Sequence, residues 1–389
     1  MRIGRILGIG AGVLLVVALA AAFWIGANLE EFLNRVQPVA VPSVSAQARA
    51  LHTAAFVADM HADTLMLRGD VTVRSRTGHV DLPRLQEGGV ALQFFTAVTK
   101  VPLGLNIESN DTNSLDLLTL VGLVRFTPFA TRDLLGRALL YSERLQDSIA
   151  RANGHLLPVR SVAELDQLIA RRAEDPTVVG ALLGSEGAHP LLDNPANVEV
   201  LYKAGFRMIG LAHFFDNVFS GSAHGREKYG LTDKGRDLVR RMEKLGMLVD
   251  LAHVAPAAID DVLAMATKPV AVSHTGVRGT CDNRRNLSDD HLRGIARTGG
   301  VVGIGYWDTA VCGTEMKYVT AAMRHVITVV GDDYVGLGSD FDGATTVGFD
   351  TSQLPSLTQQ MLNDGMSETT IKKILGGNVQ RVLRQVLPP

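Results

Sequence analysis

Cysteine is nearly absent. Cys281 and Cys312 are the only two in 389 residues, and neither belongs to a Cys-x-x-Cys pair. That excludes a structural zinc finger and a thioredoxin-like redox site. Aromatic residues amount to 5% and the formal net charge is −2, so no basic face points to nucleic acid. A Walker loop, a Gly-x-Gly-x-x-Gly after a strand and a Gly-x-Ser-x-Gly elbow are all missing. Their absence removes the usual nucleotide-binding and serine-hydrolase readings.

A long hydrophobic run occurs in one place only, residues 7–27, with Arg2 and Arg5 before it and Glu30 and Glu31 after it. About 20 apolar residues can cross a bilayer as a helix, and the arginines favour a cytoplasmic amino end. The expectation is an amino-terminal transmembrane anchor with the catalytic part on the exported side, periplasmic or extracellular. The rival is a signal peptide cut near Ala20-Ala21-Ala22, giving a secreted protein. Residues 28–51, with Pro38, Pro42, Ser43 and Ser45, read as a linker with little to bury. Residues 52–389 then form the folded body.

In that body short apolar runs end repeatedly on a polar residue. Phe56-Val57-Ala58-Asp59-Met60 leads to His61 and Asp63, and Val178 to Ser185 leads to Glu186. Further runs end on His213, His253, His274, Tyr306 and Asp340, and a run at 90–98 completes eight strand candidates. Helical patterns separate most of them. Eight βα units predict a (β/α)8 TIM-type barrel, whose strand C-termini open on one face and carry the active site. Residues 99–158 interrupt the alternation and read as a long insertion packed on the barrel. A lip over the pocket, or a surface facing the bilayer or a partner, is the other reading of this segment.

Six of the strand-end residues are metal-competent: His61, Asp63, Glu186, His253, His274 and Asp340. Carboxylates gathered in one mouth repel one another unless cations sit between them, and imidazole with carboxylate suits a divalent metal.

These residues and their neighbours resemble the membrane (renal) dipeptidases, zinc-dependent peptidases with a (β/α)8 fold. The likeness rests on Ser185-Glu186-Gly187-Ala188-His189, on Asp250-Leu251-Ala252-His253, and on Ser273-His274 followed by Arg284-Arg285-Asn286. To these is added Gly336-Leu337-Gly338-Ser339-Asp340-Phe341-Asp342-Gly343. The resemblance implies two zinc ions per chain, one on His61 and Asp63 with Asp340 close by. His253 and His274 would hold the other, and Glu186 would bridge them. It also implies that His213 faces the substrate and that Arg285 binds its carboxylate. Tyr306 would line the pocket, with Trp307 able to take that place, and His189 would neighbour the site without ligating. The first motif departs from the family in Ala62, where Asn is usual. In animal members a disulfide lies near this mouth; Cys281 and Cys312 would match it, and a free core pair is the alternative. A dipeptide or small amide is the implied substrate, including C-terminal D-residues and β-lactam-like amides, and a homodimer is the implied assembly. Another dinuclear amidohydrolase acting on lactones or cyclic amides, and a silent exported binding protein, stand as alternatives.

Overall fold

Eight parallel strands form a ring: β1 (Val57–Ala62), β2 (Val90–Val98), β3 (Val179–Glu186), β4 (Phe206–Gly210), β5 (Leu248–Asp250), β6 (Ala271–Thr275), β7 (Val301–Ile304) and β8 (Val335–Leu337). Each pairs with the next, and β8 closes the ring on β1 through Leu337 and Asp59. This computed structural model describes residues 20–125 and 127–389. A further short strand, Leu156–Pro158, lies outside the ring on the first half of β3.

The lumen is packed, not hollow. Ala58, Met60, Leu92, Phe94, Leu182, Met208 and Val301 fill it, and Val379, Val382 and Leu383 of helix Asn378–Val386 close its lower end. Burying each large side chain of this kind contributes about 1.5–3 kcal/mol. A second apolar layer lies between the ring and the outer helices. Hydroxyl side chains cap those helices: Thr232 caps Asp233–Leu245 and Ser288 caps Asp289–Arg297. The carboxy-terminal helical stretch is kinked at Gly376, and a Cβ there would stand 1.9 Å from Phe56 O, so the close approach requires glycine.

Two register slips aim the site. Pairing of β1 with β2 shifts between Asp59 and Ala62, so Met60 fills the lumen and His61, next in sequence, also turns inward. Pairing of β6 with β7 shifts between Val272 and Thr275, and there Ser273 and His274 both reach the mouth. Such irregularities re-aim side chains at barrel rims.

The segment read as a linker is folded onto the barrel. The chain is helical over 20–33, Glu30 meets Arg68 at 2.6 Å, and Asn34 accepts a hydrogen bond from Ala344 N at 2.9 Å. Arg35–Val36 pairs with Thr346–Val347, and helix Ala46–Thr53 joins the wall through His52 Nδ1, 2.8 Å from Thr358 Oγ1. Polar partners distant in sequence tie it down, which composition does not reveal. The run 7–27 lies mostly outside the described residues; among those described, no helix is long and apolar enough to cross a membrane. Within 99–158, helix Leu134–Arg151 packs on the barrel, with the Tyr141 hydroxyl donating to Val98 O, while Val101, Leu105 and Ile107 wall the mouth.

Candidate metal centre

The barrel brings all six metal-competent residues together. Glu186, the last residue of β3, stands in the middle. Its Oε1 is 2.9 Å from His253 Nε2 and 3.3 Å from His274 Nε2 on one side, and 3.6 Å from His61 Nε2 on the other. His61 Nε2 is 3.6 Å from Asp63 Oδ1 and 3.9 Å from Asp340 Oδ1. His253 and Asp340 hold left-handed φ angles of 64° and 59°, strain of the kind retained at functional sites.

Ser273 sets the state of two imidazoles. Its hydroxyl donates to Asp250 Oδ2 at 2.6 Å, so its lone pairs face His61 Nδ1 at 3.1 Å and His274 Nδ1 at 3.0 Å. A hydroxyl has one proton to give. Both Nδ1 atoms are therefore the donors, and both rings turn Nε2 towards Glu186. His61 Nε2 is buried without a hydrogen-bond partner.

Charge makes the same demand. Burial pushes the Glu186 carboxyl well up from its ordinary value, with Asp63 adding to the effect, and burial raises Asp340 as well. For His61 burial opposes the charged ring, but Glu186, Asp63 and Asp340 outweigh it and raise the imidazole to about 10. The carboxylates thus call for positive charge at the place where the Nε2 atoms converge. Three donor groupings fit a divalent ion there: His61–Glu186–His274, Glu186–His213–His253 and His61–Asp63–Asp340.

A cavity of about 350 Å3 lies over these donors, at the small end of ligand sites. His213 borders it, its Nε2 3.4 Å from Glu186 Oε2, close enough to act on substrate or to share the ion. Arg285 is buried at the wall, with one guanidinium N–H donating to His274 O at 2.7 Å. Its remaining donors are available to an anion. The loop that carries Arg285 is pinned by Asn283 Oδ1, which accepts from Arg285 N at 2.9 Å, and by the Cys281–Cys312 disulfide.

Tyr306 requires correction. It is wholly buried against Phe341 and Phe349, and Trp307 lines the cavity in its place. β7 ends at Ile304, so the alternation of the strand cannot be extended to residue 306. His189 stays off the donors, its ring 4.5 Å from that of Phe215; burial, with Lys100 adding to it, lowers its pKa to about 3.

The sequence reading missed His224. It borders the cavity and directs Nδ1 to Ile107 O at 2.8 Å, which leaves Nε2 as a buried acceptor. Burial, then Arg285, lowers it to about 4, so the ring is neutral. It sits in a loop, where no periodicity marks it.

Comparison with known proteins gives the family of the chain. The family model for membrane dipeptidase (peptidase family M19) matches residues 45–387. Dipeptidase tcpJ of Claviceps purpurea is 32% identical over 326 residues, covering 79% of this chain and 69% of that protein. Dipeptidase verJ of Clonostachys rogersoniana is 30% identical over 318 residues, 80% of this chain and 76% of its own length. Among solved structures, a metallopeptidase from Rhodobacter sphaeroides, liganded with a phosphinate mimic of the dipeptide L-Ala-D-Ala, superposes with a TM-score of 0.69 at 25% identity. It covers 85% of this chain and 99% of that one. With the match running through the whole barrel, the chain belongs to the membrane dipeptidase family of metallopeptidases.

Proposed function

We propose that this protein hydrolyses dipeptides on two zinc ions, held by His61, Asp63 and Asp340 on one side and by His253 and His274 on the other, with Glu186 between them. The observation that carries this reading is the central carboxylate, with imidazole Nε2 atoms on both flanks. Bound ions of this kind supply Lewis acidity and a water acidic enough to attack near neutral pH.

The chain's own groups do the rest. Arg285 takes the free carboxylate of the substrate on its forked donors, which selects short peptides. His213, lowered by burial and so neutral, donates a hydrogen bond from Nε2–H to the carbonyl oxygen as charge develops there and keeps its proton. Asp340 receives a proton at the mouth and returns it to the leaving amine. His224 offers Nε2 to a substrate N–H. The L-Ala-D-Ala mimic in the Rhodobacter sphaeroides structure supports tolerance of a D-residue at the carboxyl end here. The apolar run 7–27 supports membrane attachment with the barrel exported.

The test is a panel of L-L and L-D dipeptides, a β-lactam and a lactone, each with and without chelator, for the wild type and Asp340→Asn. Chelator-sensitive cleavage of dipeptides, lost by about 10²-fold or more in the variant, is expected. Inert dipeptides beside a turned-over lactone would point to a different amidohydrolase chemistry.

A further inference from the structure

We propose that the exposed face of helix Leu117–Val124, with Leu115 before it, lies in the lipid interface of the membrane that the amino-terminal run enters. This rests on the reading of 7–27 as a retained anchor and extends it to a second, separate element of the folded body.

The helix carries no charged residue, and only Leu118 and Gly122 are buried. Leu120 and Leu123, three apart on one face, are 40% and 58% exposed, and Leu115 is 72% exposed. Fraying does not account for this. Asp116 caps the helix through Leu118 N and Thr119 N and pairs with Arg137, while Phe129 and Ala130 stand behind Gly122. The orientation of the face is therefore set by the barrel.

What covers it is indicated by its neighbour. A Cβ on Gly26 would be 3.0 Å from Val124 Cγ1 and 3.5 Å from Arg125 Cγ, so the helical segment 20–33 lies directly against this helix. Phe23 and Trp24 on that segment are 68% and 58% exposed, and both belong to the end of the apolar run. Two segments that each carry exposed apolar side chains thus meet at Gly26 and Val124, where a stretch long enough to span a bilayer joins the folded body. Tryptophan is favoured at the level of lipid headgroups. A short helix with one apolar face outward, held in place from behind, is suited to the interfacial plane. Leu117 N donates to Val101 O at 2.7 Å, and Val101 lines the cavity, so the proposed interfacial helix starts beside the cavity wall.

Trp24 and Trp307 are the only tryptophans in the chain, which allows a direct test by fluorescence in liposomes containing brominated phosphatidylcholine. The full-length Trp307→Phe chain reads Trp24 alone; the Trp24→Phe/Trp307→Phe/Leu123→Trp chain reads the helix. Both reporters are expected to lose about half of their emission to the quencher. A Leu115→Trp reporter in the same background serves if substitution at Leu123 disturbs the fold. Quenching of Trp24 with neither helix reporter quenched overturns the proposal and leaves the anchor standing. Unquenched helix reporters with blue-shifted emission that depends on protein density would mean that a second copy covers the face, which also overturns it. No quenching of any reporter removes the anchor and this proposal together.

Discussion

The Ser273 hydroxyl gives its proton to Asp250 Oδ2, 2.6 Å away, and so accepts from the Nδ1 atoms of His61 and His274. One hydroxyl thus orients an imidazole in each half of the centre. Ser273→Ala should free both rings to rotate and change tautomer. Loss of such a supporting hydrogen bond typically costs 10- to 100-fold in metal affinity. Competition with a chelator should show weaker retention of both ions, with the melting temperature of the ion-free protein changed far less. Wild-type affinity for both ions in the variant would rule out this role for Ser273.

The ion-free protein carries its missing positive charge on His61. Against burial, the neighbouring Glu186, Asp63 and Asp340 raise that ring from its ordinary 6.5 to about 10. A histidine raised on folding contributes stability that is fully present below the unfolded value and is lost as pH rises through the folded one. Stability of the ion-free protein should therefore fall between about pH 6.5 and 10. Zinc should remove most of this slope, because ligation at Nε2 displaces the proton. Calorimetric titration at pH 8 in buffers of different ionisation enthalpy should detect roughly one proton released at His61. An enthalpy that does not vary with the buffer would contradict the charge assignment.

Among the described residues Arg285 is the sole arginine lining the cavity, and its guanidinium makes one bond to the backbone, to His274 O. Arg285→Lys keeps the charge but loses the fork that matches a carboxylate. We expect KM for dipeptides to rise by about 10-fold in Arg285→Lys and by roughly 10²-fold in Arg285→Met, with kcat less affected. Dipeptide amides, lacking the carboxylate, should show little difference between wild type and variants. An equal loss on amides would place the arginine elsewhere in the reaction.

The barrel and the ligands were legible for one reason. Seven of the eight apolar runs lead to a polar residue, and a closed parallel ring sends its strand ends to one rim. The pattern failed where a strand ended early. The resemblance puts Tyr306 in the pocket with Trp307 as its alternative, and the alternative holds: β7 stops at Ile304, and the chain turns at Gly305 and lays the Trp307 ring against it, where a Cβ on Gly305 would be 1.9 Å from Trp307 Cζ3. The role of Ser273 is not legible from its motif, because a hydroxyl inside an apolar strand carries no periodic signal. His224 stands in a loop and depends on Ile107, far away in sequence, for its orientation. The linker misreading has the same origin: Glu30, Asn34 and His52 find partners at Arg68, Ala344 and Thr358.

The Cys281–Cys312 bridge spans 31 positions and closes the loop that presents Arg285. Cys281 O accepts from Asn286 Nδ2 at 2.7 Å, so the bridge, Asn286 and Arg285 form one supported turn. Closing a loop of this length restricts the unfolded chain by about 3–4 kcal/mol. The Cys281→Ser/Cys312→Ser double variant should melt several degrees lower and show a raised KM for dipeptides through a looser Arg285. Reductant should bring the wild type to the level of the variant while leaving the variant unchanged. A wild-type melting temperature that does not respond to reductant under unfolding conditions would mean that the bridge does not stabilise the protein in this way.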